Sequence, residues 1–203
     1  MAKDTTRLAI IKEGAKLIHA RGYNNTGLSD ILKAARVPKG SFYFYFKNKE
    51  DFGVAVVDYY INLLQGIGQA FLNEQGIPPL ERLSRFMDIF QKHFESMDLR
   101  CGCPIGNLSQ EMSDHSELFR EKISEAYSLM TDAIETCLKE AQSQGDLPSA
   151  MDTTKTAQFI FNSWEGAIIH MKLVKSVEPL KVCKHMMFEY ILKISPRENT
   201  IVR

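Results

Sequence analysis

Residues 26–49 read TGLSDILKAARVPKGSFYFYFKNK. Within this stretch Ile31, Leu32 and Ala35 recur at helical spacing, which predicts a helix over Leu28–Ala35 with Thr26 as its N-cap. Pro38 ends that helix, because proline disfavours the helical conformation in the residue before it. Lys39, Gly40 and Ser41 then lead into Phe42-Tyr43-Phe44-Tyr45-Phe46. Two readings of this aromatic run stand. Alternation on a period of two makes a strand, whereas the helical period puts Phe42 and Phe46 on one buried face. No nearby segment offers a hairpin partner and every neighbour reads as helix, so a helix is expected. Two short helices about a tight turn, at about residues 27–46, form a helix-turn-helix. In such a motif the second helix reaches base edges with short side chains at its N-terminal end.

Charge supports a polyanion partner at this end of the chain. The 203 residues carry 25 Lys/Arg and 25 Asp/Glu, a net charge of zero. Residues 1–50, however, hold ten basic and four acidic side chains, a balance of +6, which leaves −6 on residues 51–203. A basic head on an acidic body suits a protein that meets nucleic acid with one end only. Chance clustering on solvated faces is the plainer alternative.

Helical periodicity runs through the rest. Leu8, Ile11, Ala15 and Ile18 mark a first helix over about Thr5–Arg21, closed by Gly22. Asn48 can cap a fourth helix, striped by Phe52, Val56, Tyr59, Tyr60, Leu63 and Ile67. Further helices are expected at 80–97, 104–112, 116–144, 153–174 and 179–194, separated by Gly- and Pro-rich breaks, with residues 196–203 as a frayed tail. The fold class is therefore all-α, about nine helices. An N-terminal three-helix helix-turn-helix domain spans residues 4–64, and a C-terminal helical domain spans 65–195. The N-terminus lacks a signal-peptide core, and the uncharged run Tyr59–Asn73 is too short to span a bilayer. Four cysteines in this length suggest no disulfide framework. The cytoplasm is the expected compartment, with no membrane partner.

An ordered set of motifs carries a resemblance. Gly22-Tyr23 ends the first helix and Thr26 precedes Leu28 and Ile31. Then come Ala35-x-Val37-x-Lys39-Gly40-x-Phe42-Tyr43-x-x-Phe46 and Lys47-x-Lys49-Glu50-x-Phe52. Residues 1–64 with these motifs resemble the DNA-binding domain of the TetR/AcrR family of bacterial transcription regulators. The remaining residues fit that family in length and helix order. Two positions depart from its usual pattern: Tyr45 stands where His is most common, and Arg36 where Gly is usual at the corner. Arg36 is expected to strain the turn if the backbone there is left-handed.

DNA contacts are expected from Thr26, Lys39, Gly40, Ser41, Tyr43, Phe44, Tyr45 and Lys49. Gly40 allows close backbone approach, Ser41 can bond a base or phosphate, and Phe44 can pack on a thymine methyl. Tyr43 and Tyr45 can donate to phosphates, while Thr26 and Lys49 sit at helix N-termini that favour them. So small a module reads few base pairs, and specificity calls for two copies on a palindromic operator. The resemblance implies a homodimer through the last two helices, with Phe161, Ile168, Met171, Leu180, Met187 and Ile191 as the apolar candidates. It also implies a small-molecule effector in the C-terminal domain. Candidate effector residues are Phe90, Phe94, Cys103, Asn107, Tyr127, Phe161, Trp164 and Glu165, though aromatic residues at helical spacing are more commonly core.

The function expected is ligand-responsive regulation of transcription, with repression favoured because occluding a promoter needs no polymerase contact. The alternative is an electrophile- or redox-sensing repressor acting through Cys103. If Pro104 opens a helix, Cys103 caps it, where the dipole favours a thiolate, and Arg100 with a basic partner, Lys172 or Lys175, can assist. No catalytic triad, phosphate loop or metal-ligand spacing appears, so neither enzyme activity nor a cofactor or metal is expected. A helical dimer without DNA function is the remaining alternative.

Overall fold

Stretches of helical periodicity, cut by Gly, Pro and Asn, fold into nine α-helices in the computed structural model, which describes residues 2–193. They are α1 (Ala2–Arg21), α2 (Leu28–Ala35), α3 (Phe42–Tyr45), α4 (Lys49–Leu72), α5 (Pro79–Ser96), α6 (Pro104–Met112), α7 (Glu117–Ser143), α8 (Thr153–Val174) and α9 (Glu178–Met186). A 3-10 turn, Lys39–Ser41, leads into α3, and a π turn, Met187–Ile191, continues α9. No strand occurs among the described residues, so the aromatic run is helical. The expected end of the ninth helix at Ile194, the domain limit at 195 and the tail lie outside the described residues. No helix among the described residues is long and apolar enough to cross a membrane.

Local chemistry sets the helix ends. Gly22 closes α1 at φ +89°, a conformation a β-carbon disfavours. Asn48 caps α4 by accepting from the Asp51 N–H at 2.7 Å, while Asp51 accepts from the Lys47 N–H at 2.9 Å. Asp152 caps α8 by accepting from the Lys155 N–H at 3.0 Å. At the end of α2 the Arg36 N–H donates to the Lys33 carbonyl and the Val37 N–H to the Leu32 carbonyl, at 3.2 and 3.0 Å. That is a Schellman closure with Arg36 in the left-handed position, φ 56° and ψ 40°. The backbone strain expected at this corner is present, on the order of 1–2 kcal/mol for a residue with a β-carbon.

The chain divides into two compact units. The first joins the residues up to Leu64 with Cys103–Tyr127; the second joins Gln65–Gly102 with the chain from Ser128 on. This differs from the expected contiguous stretches 4–64 and 65–195, because α6 and the start of α7 are bonded into the N-terminal unit. Glu111 of α6 accepts from the backbone of the α1–α2 loop, Ser116 donates to Glu50, and Lys122 pairs with Asp58 at 2.8 Å. Tyr23 and Phe119 meet edge to face with ring centroids 5.0 Å apart.

The core of the first unit is aromatic. Phe42, Phe46 and Phe52 form a triangle with centroids 5.1–5.8 Å apart. Ile10, Ile11, Ala15 and Ile18 of α1 and Ile31 and Leu32 of α2 are buried with them. Leu8, expected on the α1 stripe, is largely exposed one turn beyond the buried stretch. In the second unit Leu83, Phe86, Met87 and Phe94 of α5 are buried. So are Ile134, Cys137, Leu138 and Ala141 of α7, and Ala157, Ile160, Phe161, Trp164, Ile168 and Met171 of α8. The Cys137 thiol is pushed up to about 11 by burial.

Candidate nucleic-acid interface

The segment from Lys39 to Phe46 sorts its aromatic residues by face. Phe42 and Phe46 are buried, while Tyr43 and Phe44 are 65% and 64% exposed. Lys39 and Gly40 are exposed, and Ser41 and Tyr45 half-buried. Among the described residues, no atom beyond its chain neighbours lies within 4 Å of where a β-carbon on Gly40 would stand, so backbone is open to an approaching partner there. The segment thus presents a cation, an open glycine, a hydroxyl and two rings outward. These are the groups that hold phosphates and touch base edges.

Two of the expected contacts are turned inward. Thr26 is fully buried; its hydroxyl donates to the Gly22 carbonyl at 2.7 Å and its N–H to the Tyr23 carbonyl at 3.2 Å. Gly27, not Thr26, caps α2. Both donors of Thr26 being spent on the α1–α2 loop, its side chain leaves the interface set. Lys49 is half-buried and also bonds inward. Its ammonium donates to the Tyr23 carbonyl at 2.7 Å and lies 4.4 Å from the centre of the Tyr23 ring. Burial holds that ammonium below its ordinary range, while the Glu111 carboxylate pulls the other way. The Tyr23 phenol is pushed up to about 12, first by burial and then by Glu50 and Glu111.

Glu111 belongs to no motif that would single it out in the sequence. Its two oxygens accept from the Tyr23 and Asn24 N–H groups at 2.8 and 2.6 Å, across 88 and 87 residues. Gly22 lies beside it: a β-carbon there would stand 3.1 Å from a Glu111 oxygen. Glu111→Ala is expected to cost about 1–2 kcal/mol, since two N–H groups lose a charged acceptor. Urea denaturation would read this as a lower midpoint at unchanged slope.

The expected effector residues are divided. Cys103, Asn107 and Tyr127 belong to the first unit and are half-buried. Phe90, Phe94, Phe161, Trp164 and Glu165 belong to the second, where Phe94, Phe161 and Trp164 are core and Phe90 stacks near Phe86 and Phe94 at 4.8 and 6.4 Å. Cys103 does cap α6, its sulfur accepting from the Gly106 N–H at 3.3 Å. The loop before it is unusual, with Asp98, Leu99, Cys101 and Gly102 all at positive φ. An open groove of about 660 Å³ between α5 and α9 includes Ser84, Asp88, Lys184 and His185 and none of the expected residues. Asp88 and Lys184 form an ion pair across it.

The expected dimer residues need correction. Phe161, Ile168, Met171, Leu180 and Met187 are buried within the protomer, and Ile191 is half-buried in the π turn. Five of the six thus belong to the core of the protomer. A different apolar face is outside. Phe159, Ile169 and Leu173 of α8 are half or more exposed, as are Val182 of α9 and Tyr190 just beyond it, with Met186 close behind. Gly166 lies on the same α8 stripe, with no protein atom near its β position.

Comparison with known proteins gives consistent results. Residues 79–187 match the family model described as Tetracyclin repressor-like, C-terminal domain, and residues 10–56 the model described as bacterial regulatory proteins, tetR family. The chain is 33% identical over 192 residues to the HTH-type transcriptional repressor DhaR of Mycobacterium sp. (strain GP1), covering 95% of each. It is 37% identical over 176 residues to the transcriptional regulator AcuR of Cereibacter sphaeroides, covering 85% of this chain and 78% of that one. Among solved structures, the regulatory protein TetR from Rhodobacter sphaeroides superposes with a TM-score of 0.85 at 32% identity, covering 90% and 96% of the two chains. The reduced form of Escherichia coli NemR superposes with a TM-score of 0.85 at 28% identity, covering 91% and 96%.

Proposed function

Because the chain belongs to the TetR family of bacterial transcriptional regulators, we propose that it is a homodimeric repressor released from a palindromic operator by a small molecule. The observation that carries this reading is the outward set Lys39, Gly40, Ser41, Tyr43, Phe44 and Tyr45 on the basic end of the chain, with Phe42 and Phe46 anchoring it from within. The exposed α8–α9 face supports a second copy, and two copies set the spacing of two recognition segments. Residues 4–64 supply the DNA-binding part and the chain beyond 65 the effector-binding and dimerising part, with α6 and the start of α7 tied to the former.

The test is selection of duplexes from a random pool, followed by binding measurements over about 50–200 mM salt. A regulator enriches an inverted repeat and binds it with affinity that falls steeply as salt rises. Enrichment of no sequence would end this reading.

A second reading rests on Cys103 as the N-cap of α6, following a loop of left-handed residues. Helix N-termini favour a thiolate. Cys137 and Cys183, by contrast, are pushed up to about 11 by burial and are poor nucleophiles at neutral pH. In this reading an electrophile modifies Cys103 and releases DNA. Single Cys→Ser variants titrated with N-ethylmaleimide on the selected duplex decide it: full release from Cys103→Ser rules it out.

A further inference from the structure

Arg36 combines three features that ordinary turn formation does not require. It occupies the left-handed closing position of α2, φ 56°, where glycine is the residue without strain. It is exposed. The two Schellman hydrogen bonds hold its backbone, but among the described residues its guanidinium has no hydrogen bond, ion pair or ring contact. Strained residues persist where they serve a site. Lys33 and Lys39 flank it, both exposed and likewise without an acidic partner. Residues 26–49 hold five Lys/Arg against the single Asp30, whose carboxylate lies 3.8 Å from Arg21.

Resting on the DNA-binding reading above, we infer that Lys33, Arg36 and Lys39 form a phosphate clamp at the helix-turn-helix corner, with Arg36 its central contact. The Arg36 N–H bonds the Lys33 carbonyl at 3.2 Å, which holds the first two close together. Only Val37 and Pro38 lie between Arg36 and Lys39, so three residue steps put their α-carbons at most about 11 Å apart. From that distance two long side chains can reach neighbouring phosphates of one strand. The exposed Lys39 and Gly40 directly after the corner would then enter the groove in a fixed register. A guanidinium suits this role because it bonds phosphate with a two-pronged fork.

The experiment compares R36G and R36K with the wild type on a duplex the wild-type protein selects from a random pool. R36G removes both the strain and the charge. It is expected to melt about 2–4 °C higher yet to bind about 5- to 20-fold more weakly, with the slope of log affinity on log salt shallower by about one. R36K is expected to retain that slope and most of the affinity. R36G with wild-type affinity and slope overturns the clamp. So does weaker binding at an unchanged slope, which would mean an altered turn rather than a lost phosphate contact. A wild-type protein that selects no sequence overturns the regulatory reading itself, and this inference with it.

Discussion

Phe159→Glu combined with Leu173→Glu is expected to convert a dimer into folded monomers and to lower operator affinity by about 100-fold or more. Leu173 is 78% exposed, and Phe159 and Ile169 lie on the same face of α8, at i, i+10 and i+14 with Leu173. Neither substituted residue is buried in the protomer, so the fold should survive, as surface changes usually cost under about 0.5 kcal/mol. In the dimer each carboxylate would be buried without a partner. The loss of affinity follows from linkage. With one head bound, the second is held near its half-site, and such coupling is worth about 10²–10⁴ in affinity. Light scattering and mobility shift read the two effects together. A double variant that stays dimeric would move the interface off this face.

Phe42→Ala and Phe44→Ala are expected to diverge sharply although they are two residues apart. Phe42 is buried against Phe46 and Phe52, with centroids 5.3 and 5.8 Å away. Its truncation should cost about 3–5 kcal/mol, a large share of the 5–15 kcal/mol or so that holds a domain folded. Little folded protein would remain for DNA to bind at 37 °C. Phe44, 64% exposed, should change stability by less than about 0.5 kcal/mol. Its loss should instead weaken the selected operator by about 1 kcal/mol or more, and least on variants lacking the thymine it packs against. Thermal melting and binding on matched duplexes separate the two outcomes. Equal destabilisation by both variants would refute the division of the aromatic run.

Much of the fold was legible because the deciding forces are local. Pro38 and the Ile31–Leu32 pair bound α2 at Leu28–Ala35, Pro104 opens α6 with Cys103 as its cap, and the Gly145–Pro148 break lies between α7 and α8. Steric limits on proline and glycine act over one or two residues, so sequence alone carries them. The two faces of the aromatic run were legible for the same reason: the helical period separates the buried Phe42 and Phe46 from the exposed Tyr43 and Phe44. Thr26 and Lys49 were not. Each is a polar group at a helix start, and each found its partner in the α1–α2 loop, at the Gly22 and Tyr23 carbonyls. Glu111 is further still from local reach.

The sequence by itself determined an all-helical chain, a basic helix-turn-helix end and the shared buried face of Phe42 and Phe46. Those follow from periodicity, punctuation and charge. Only the tertiary structure decided which apolar face of α8 is core. That helix carries two: Phe161, Trp164, Ile168 and Met171 on one, Phe159, Ile169 and Leu173 on the other. A period of 3.6 residues says that a face exists, not what lies opposite it. Burial belongs to the pair of surfaces, and the second surface here comes from other elements, α9 among them.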